Sequence, residues 1–234
     1  ERLDDNILRK KYYFYFYKKI LSQADGILAI GNEAKSFYKK FNKNIINLQY
    51  SINVSKYSTA KTKEKSKINF LYVGQYIKRK GIKEFLKAIN KLSKKENSIT
   101  NFTFIGEGDY KKQLLNLQKK NTNIKVKNFQ NRDKLVKFFF KNHVFVFPSL
   151  YDGWGVAPME AMVSNLYVIV SNRCGLVKGN PLIKKYSRII NPTSDNILQS
   201  IKFCIKNKSL IATNSKILTK KIKNTSLNSN INAD

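Results

Sequence analysis

The segment 144–162 reads VFVFPSLYDGWGVAPMEAM and decides the fold class of the chain. Residues 144–147 form a short apolar run that ends at Pro148, which predicts a buried β-strand. Residues 156–164 suit a helix, in which Pro158 is tolerated in the first turn. Two glycines lie in the turn between the strand and the helix. A strand that leads through a turn directly into a helix is typical of an α/β fold with a parallel sheet.

The same alternation extends along the chain in both directions. Apolar runs bounded by turn residues predict strands, and apolar residues at helical spacing predict helices between them. Strands are predicted at 25–31, 45–48, 68–73, 102–105, 124–127, 144–147 and 167–170. Helices are predicted at 7–21, 33–41, 82–92, 110–119, 135–139 and 156–164, with one or two more beyond 196. Ligands bind beyond the carboxyl ends of such strands, so the strand-to-helix turns should contain the functional residues.

The chain turns polar between residues 51 and 67, where Ser, Thr and Lys replace the apolar pattern. We expect a linker at 57–67 within this stretch. The chain then divides into a first region at 1–56, a second at 68–223 and a polar tail at 224–234. Ser and Asn are frequent in the tail, which we expect to be frayed.

The net charge is strongly positive, and lysine supplies most of it. The 45 Lys and Arg residues against 15 Asp and Glu give +30, yet only six of the 45 are arginines. Arginine grips phosphate and reads guanine with paired hydrogen bonds, and here it is scattered. We interpret the charge partly as the coding bias of an AT-rich genome and partly as affinity for anionic surfaces. A basic nucleic-acid or anionic-surface binder remains an alternative hypothesis, although no nucleic-acid partner is expected.

The remaining composition bears on cellular location. No apolar run reaches the about 18 residues that a membrane span needs. The two cysteines, Cys174 and Cys204, fit neither a metal-binding spacing nor a disulfide framework, so a reducing, cytoplasmic location is expected. The chain begins at Glu1 and its only methionines are Met159 and Met162, so we expect a fragment or a processed product.

Six consecutive aromatic residues, 12–17, lie in the first predicted helix, with lysine pairs at 10–11 and 18–19 on either side. Two interpretations are open. The helix packs against protein outside this sequence, or it lies on a membrane surface. The second interpretation predicts peripheral contact with the anionic inner face of a membrane.

Two carboxylates bracket the turn within 144–162. Asp152 lies in the turn and Glu160 on the helix, with seven residues between them. Both can face one crevice, where carboxylates accept hydrogen bonds from sugar hydroxyls. Gly153 and Gly155 let the backbone approach a ligand, and the N-terminus of the helix suits a phosphate. The alternative is that Asp152 caps the helix and Glu160 is a solvated acid of its first turn.

A basic turn follows the predicted strand 68–73 and reads GQYIKRKG over residues 74–81. Its glycines hold cations above the same sheet edge, where Arg79 and Lys80 would neutralise a diphosphate. Three adjacent cations also arise by chance in a chain this basic. The sole histidine, His143, lies at the start of a strand, and we predict a structural role for it.

Four groups of residues occur in an order that resembles a known family. They are Val73-Gly74 with Arg79-Lys80-Gly81, Phe104 to Gly108, Asn128 to Arg132, and Pro148-Ser149 with Asp152 to Gly155 and Glu160 to Met162. Over roughly 24–178 the pattern resembles the nucleotide-sugar-binding half of the group 1 (family 4) retaining glycosyltransferases of the GT-B fold. The resemblance implies a Rossmann-like doubly wound parallel sheet at 68–223, and at 1–56 a remnant of the N-terminal, acceptor-binding domain.

The resemblance also implies a role for each matching position. Asp152 would contact the transferred sugar, while Lys80 with Arg79 would stabilise the leaving diphosphate. Glu160 would bind the donor ribose. For Trp154, simple packing is the alternative to a role in donor binding. The implied donor-binding residues are Glu160, Gly153, Trp154, Gly155, Gly74 and Gln75. No metal or other cofactor is implied, because basic side chains and a helix terminus stabilise the departing charge.

The chain departs from the family pattern in four respects, one of which is Asn165 where a glycine commonly ends the helix. Asp152 stands where the family usually has Glu, and Gln75 where it commonly has Arg. Most of the N-terminal domain is also missing from the sequence. The leading hypothesis is transfer of a hexose from a nucleoside-diphosphate sugar to a glycan or lipid-linked acceptor, with retention. A truncated chain that binds nucleotide sugar without catalysis is the alternative.

Overall fold

The chain divides into two compact units, Glu1–Tyr50 and Ser51–Asp234. The computed structural model describes residues 7–48, 52, 57, 66–178 and 180–231. The predicted first region extended to residue 56, and most of the predicted linker at 57–67 lies outside the described residues. Within the described residues, no helix is long and apolar enough to cross a membrane.

The first unit is a small α/β layer. Its elements are α1 (Ile7–Leu21), β1 (Ile27–Ile30), α2 (Gly31–Tyr38) and β2 (Ile45–Leu48). The two strands pair in parallel, with Ile27 opposite Ile45. This confirms the predicted first helix and both predicted strands.

Aromatic rings join the helices of this unit. Phe14 and Tyr17 of α1 lie 5.1 and 6.2 Å from Phe41, measured between ring centroids, and Phe37 lies 5.3 Å from the same ring. Other apolar side chains point into solvent. The most exposed of them are Tyr12, Tyr15, Leu28 and Ile46. Both interpretations of the aromatic helix therefore remain available, because its outward rings are uncovered within the described part of the unit.

The second unit is built on a six-stranded parallel sheet in the order β5-β4-β3-β6-β7-β8. The strands are β3 (Ile68–Val73), β4 (Thr100–Ile105), β5 (Ile124–Lys127), β6 (Val144–Phe147), β7 (Tyr167–Ser171) and β8 (Arg188–Ile190). The chain winds outward from β3 in one direction and from β6 in the other. This is the doubly wound order of a Rossmann-like fold, and it confirms the predicted fold class.

Helices cover both faces of this sheet. They are α3 (Ile82–Asn90), α4 (Lys94–Ser98), α5 (Lys111–Lys120), α6 (Arg132–Lys141), α7 (Val156–Val163), α8 (Pro181–Tyr186), α9 (Ser194–Lys206) and α10 (Lys208–Ile231). Alternate residues of β3 enter different cores, because side chains of a strand point to opposite faces. Phe70 and Tyr72 pack with α3 and α9, whereas Leu71 packs with α7 and α10.

Three features of this unit differ from the sequence prediction. Tyr57, placed in a linker, is 2% exposed and belongs to the core on the α7 side of the sheet. Helix α10 continues to Ile231, through most of the stretch predicted as a frayed tail. Neither α4 nor β8 was predicted, and β8 forms one edge of the sheet.

Candidate active site

A cavity of about 780 Å³ opens at the carboxyl ends of the central strands. It lies where the strand order reverses between β3 and β6, which is the usual ligand site of a doubly wound sheet. Each of the four turns that follow β3, β4, β5 and β6 contributes to its lining. Its volume lies in the range of small-molecule sites, about 300–1,000 Å³.

Seven of the nine predicted site residues line this cavity. They are Gly74, Gln75, Arg79, Lys80, Asp152, Trp154 and Gly155. Gly153 and Glu160 are not part of the lining. The rule that functional residues follow parallel strands therefore located most of the candidate site.

The basic turn after β3 is fixed against the turn after β6. Lys78–Lys80 form one turn of 3-10 helix, and Gly81 follows with a left-handed φ of 69°. A Cβ atom at Gly81 would overlap the carbonyl oxygen of Pro148, so only glycine allows this close approach. The Leu150 N–H donates to the Arg79 carbonyl at 2.8 Å. Both turns therefore hold one arrangement at the cavity wall.

The predicted catalytic residues meet at this junction. Lys80 Nζ forms an ion pair with Asp152 Oδ2, and their side chains are 17% and 11% exposed. Lys80 Nζ also lies 5.3 Å from the centroid of the Phe147 ring. Arg79 Nη1 donates to the Tyr151 carbonyl at 3.2 Å. Two cations and one carboxylate thus line the same side of the cavity.

The N-terminus of α7 adds a third source of positive potential. Gly155 precedes the helix with a φ of 96°, and as a glycine it offers no side chain to cap α7 from the N-cap position. The N–H groups of a first turn have no partner within their own helix, and the positive end of the helix dipole lies there. Val156 and Ala157 of this turn line the cavity. An anion such as a phosphate would therefore be stabilised at this end of the helix.

Asp152 does not cap α7, contrary to the alternative interpretation. Its Oδ1 accepts a hydrogen bond from the Trp154 N–H at 3.3 Å, within its own turn. Cys174 stabilises the turn, because its Sγ donates a hydrogen bond to the Trp154 carbonyl at 2.9 Å. The Gly175 N–H also donates to the Asp152 carbonyl at 3.0 Å. The turn after β7 thus supports the carboxylate from outside the cavity.

Glu160 lies one helical turn beyond the cavity wall formed by Val156 and Ala157. It is 7% exposed, so the interpretation as a solvated acid is wrong. Its Oε1 accepts hydrogen bonds from Tyr57 Oη at 2.9 Å and from Arg132 Nε at 3.0 Å. The pKa of Tyr57 is raised to about 12, mainly because the hydroxyl is buried and to a smaller extent because the Glu160 carboxylate is close to it. The hydrogen bond that the Arg132 guanidinium donates to Glu160 raises the pKa of that guanidinium.

Several residues of the cavity were missed as site residues by sequence reasoning. Phe129 and Gln130 line it from the turn after β5, and Phe129 is 73% exposed. Glu107 lines it from the turn after β4, where its carboxylate pairs with Lys111 Nζ at 2.7 Å. Applying the strand-end rule equally to all four turns would have found them. His143, by contrast, accepts a hydrogen bond from the Asn69 N–H at 3.0 Å, at the opposite end of the strands.

Comparison with known proteins supplies the family context. The sequence profile described as Glycosyl transferases group 1 matches residues 53–221. The O-antigen chain mannosyltransferase RfbU of Salmonella typhimurium is 30% identical over 178 residues, which are 72% of this chain and 48% of RfbU. The chain thus spans about half the length of the curated relatives it matches.

Solved structures share the fold at low sequence identity. The glycosyltransferase WaaG, involved in lipopolysaccharide biosynthesis, superposes with a TM-score of 0.75 at 15% identity, covering 93% of this chain and 65% of WaaG. HepE of Anabaena, solved with UDP and glucose, superposes with a TM-score of 0.66 at 12% identity, covering 93% of this chain and 66% of HepE. These likenesses confirm the predicted GT-B type of fold.

Proposed function

Because the chain belongs to the Glycosyl transferases group 1 family, we propose that its cavity binds a nucleoside-diphosphate sugar whose sugar the intact protein transfers, with retention, to a glycan or lipid-linked acceptor. One observation carries the proposal. Lys80, Arg79, Asp152 and the N-terminus of α7 meet at one cavity of about 780 Å³. That arrangement offers positive groups to a diphosphate and a carboxylate to a sugar.

The positive groups would stabilise the leaving diphosphate. Negative charge builds on the diphosphate as the bond to the sugar breaks, so fixed donors there favour the transition state over the bound donor. Lys80, Arg79 and the first turn of α7 already line the cavity, and the close packing at Gly81 holds the basic turn in place. We therefore propose that these groups act in place of a metal ion.

The two carboxylates would bind different parts of the donor. Asp152, beside the cations, would accept hydrogen bonds from the transferred sugar. Glu160, one turn along α7, would accept from the ribose. The complex of HepE with UDP and glucose and the name of RfbU as a mannosyltransferase support a hexose donor and a polysaccharide acceptor.

Asp152→Asn tests the assignment of the sugar-binding carboxylate. The substitution keeps the size of the side chain and removes its charge. We expect the intact protein to lose transfer from its nucleotide-hexose, while its affinity for the nucleoside diphosphate changes only a few-fold. Asp195→Asn, at a largely exposed acid paired with Lys91, is the matched control and should transfer normally.

The stereochemistry and the metal requirement are tested on the same reaction. NMR of the first product should show the anomeric configuration of the donor, and a chelator should leave the rate unchanged. An inverted product would contradict retention. If the chelator abolished transfer and added divalent metal restored it, the proposal that Lys80 and Arg79 act in place of a metal ion would be contradicted.

We also propose that α1 contacts an anionic membrane surface, where a lipid-linked acceptor would lie. Tyr12 and Tyr15 are 67% and 68% exposed, and Lys18 and Lys19 lie in the last turn of the helix. Each lysine near an anionic membrane surface contributes about 1 kcal/mol to the free energy of membrane binding. Co-sedimentation with phosphatidylserine vesicles should fall when both lysines are replaced by Gln. Unchanged sedimentation would remove these lysines from the proposal.

A further inference from the structure

A hydrogen-bonded cluster around the buried Glu160 joins distant parts of the chain, and its Arg132 side chain is 55% exposed. Tyr57 comes from the entry into the second unit, Arg132 opens α6, and Glu160 lies on α7. The Tyr57 hydroxyl and Arg132 Nε both donate to Oε1 of Glu160, at 2.9 and 3.0 Å. We call these three residues the Glu160 cluster. None of them lines the cavity, although Ala157, three residues before Glu160 on the same face of α7, does.

Packing alone does not account for the polar atoms of this cluster. The Tyr57 ring is 2% exposed and lies 6.3 Å from the Phe139 ring in an edge-on arrangement, so a phenylalanine would fill the same space. A buried carboxylate and a buried hydroxyl are costly unless each is satisfied by the other. The cluster therefore includes a charged group that the core does not need.

The hydrogen bonds are unevenly distributed over the carboxylate of Glu160. Both donors bind Oε1, and no donor to Oε2 is found within the described residues. An ionised carboxylate offers about four acceptor sites on its two oxygens. Oε2 is thus the oxygen that remains for a ligand hydroxyl.

The donors themselves are held in place and keep their protons. Lys223 Nζ of α10 donates to the Tyr57 carbonyl at 3.2 Å, so the backbone of Tyr57 is tied to the last helix. The pKa of Tyr57, raised to about 12, keeps its hydroxyl a donor throughout the physiological range. Tyr57 therefore stays protonated and able to donate to Glu160.

We propose that Tyr57 and Arg132 are positioning residues that fix Oε1 of Glu160 and so leave Oε2 set to accept a hydrogen bond from a ribose hydroxyl of the donor. The inference rests on the proposed function, because it assigns a partner to the ribose-binding acid of that site. A carboxylate fixed before binding loses less conformational freedom when the ligand arrives. Preference for ribose over deoxyribose is therefore the property that these two residues control.

The experiment measures a ratio of affinities on the intact protein. UDP, GDP and ADP are first compared by titration calorimetry, and the tightest binder is then compared with its 2′-deoxy and 3′-deoxy forms. A hydrogen bond to a charged acceptor makes the parent prefer the ribonucleotide to one of them by about tenfold or more. The variants are Glu160→Gln, Tyr57→Phe and Arg132→Gln.

The control variant is Tyr167→Phe. Tyr167 is also a buried tyrosine, 5% exposed, but it lies at the first residue of β7 and therefore at the opposite end of the sheet. Melting temperatures of all variants separate a loss of stability from a loss of discrimination. Removal of a merely structural hydrogen bond lowers the melting temperature and leaves the ratio at the parent value.

The expected result is that Tyr57→Phe and Arg132→Gln each reduce the ribose preference at least threefold, Glu160→Gln abolishes it, and Tyr167→Phe keeps it. The positioning role is overturned if Glu160→Gln abolishes the preference while Tyr57→Phe and Arg132→Gln retain it. If Glu160→Gln retains the preference, the ribose-binding role given to Glu160 in the proposed function fails as well. Absence of nucleotide binding in the parent overturns both.

Discussion

The two ends of the α7 region hold their carboxylates in different ways. Asp152, in the turn before the helix, pairs with Lys80 at the wall of an open cavity. Glu160, inside the helix, is 7% exposed and accepts two hydrogen bonds from Tyr57 and Arg132. The first acid faces the ligand space together with a cation. The second is enclosed by donors from elsewhere in the chain.

The difference separates exchangeable contacts from fixed ones. A diphosphate that enters the cavity can draw Lys80 toward itself, and its sugar can then take up Asp152. The residues that contact Glu160 do not line the cavity, so under the proposal a ligand would add to these contacts without replacing them. In the proposed function, the Asp152 end would therefore contact the reacting groups of the donor and the Glu160 end its ribose.

The largest effect should come from Gly81, which lets the basic turn approach Pro148. Gly81→Ala combines a left-handed φ of 69° with overlap of the new Cβ and a backbone carbonyl. We expect a loss of about 3 kcal/mol in the free energy of unfolding, measured by urea denaturation. Gly153→Ala is the matched control, since a Cβ there meets no atom within 4 Å. Equal losses in the two variants would show that the close approach does not hold this end together.

The next effect sharpens the assignment of Lys80 to the diphosphate. Lys80→Ala should weaken binding of a nucleoside diphosphate about 30-fold, because a charged hydrogen bond is lost, and leave the weak binding of the nucleoside unchanged. Calorimetric or competition titrations measure both ligands. Lys83→Ala removes the same charge from an exposed site three residues away and should bind like the parent. Parallel losses for nucleoside and diphosphate would contradict a phosphate contact.

Alkaline pH should destabilise the fold through groups buried on both sides of the sheet. Burial raises the pKa of Cys174 and of Cys204 to about 12, from 9.0. A raised pKa stabilises the fold fully below pH 9, and this stabilisation is lost as pH rises toward about 12, because only the unfolded thiols ionise. We expect the free energy of unfolding to fall by about 1 kcal/mol per thiol between pH 8 and pH 10. Rapid alkylation of either thiol in the folded protein at pH 10 would contradict the predicted burial.

The smallest effect concerns the support of the Asp152 turn. Cys174→Ala removes the Sγ donor to the Trp154 carbonyl, and a single neutral hydrogen bond contributes about 1 kcal/mol. We expect nucleotide affinity to fall about threefold as the turn loosens. Cys204→Ala deletes an equally buried thiol from the core on the other face of the sheet and should leave affinity unchanged. Identical affinities in both variants would show that Cys174 serves packing alone.

Most strands of the sheet and most of the candidate residues that line the cavity could be predicted from the sequence. Apolar runs such as 68–73 and 144–147 marked the central strands, and the strand-end rule then placed Lys80 and Asp152 at one edge. Short elements were lost for different reasons. The three residues of β8 are too few to show a period, whereas the capping box of Ser93 and Glu96 is a sequence signal for the start of α4.

The Glu160 cluster was beyond sequence reasoning. Tyr57 and Glu160 are 103 positions apart, and the polar residues around Tyr57 indicated a linker. Nothing local to Tyr57 predicts its burial, because its partners come from α6, α7 and α10. The Ser- and Asn-rich stretch beyond 224 predicted a frayed tail, but helix α10 continues to Ile231 through residues of modest helix propensity.

The most direct measurement of the central claim is the melting temperature of the protein with UDP, GDP and ADP, for the parent and for Glu160→Ala. A ligand at a hundred times its dissociation constant adds about 2.7 kcal/mol to the free energy of unfolding. We predict that one nucleotide raises the melting temperature of the parent and that the rise falls to about half in the variant, because a tenfold loss of affinity leaves about 1.4 kcal/mol of that stabilisation. Equal shifts in both proteins, or no shift with any nucleotide, would contradict a donor site that depends on Glu160.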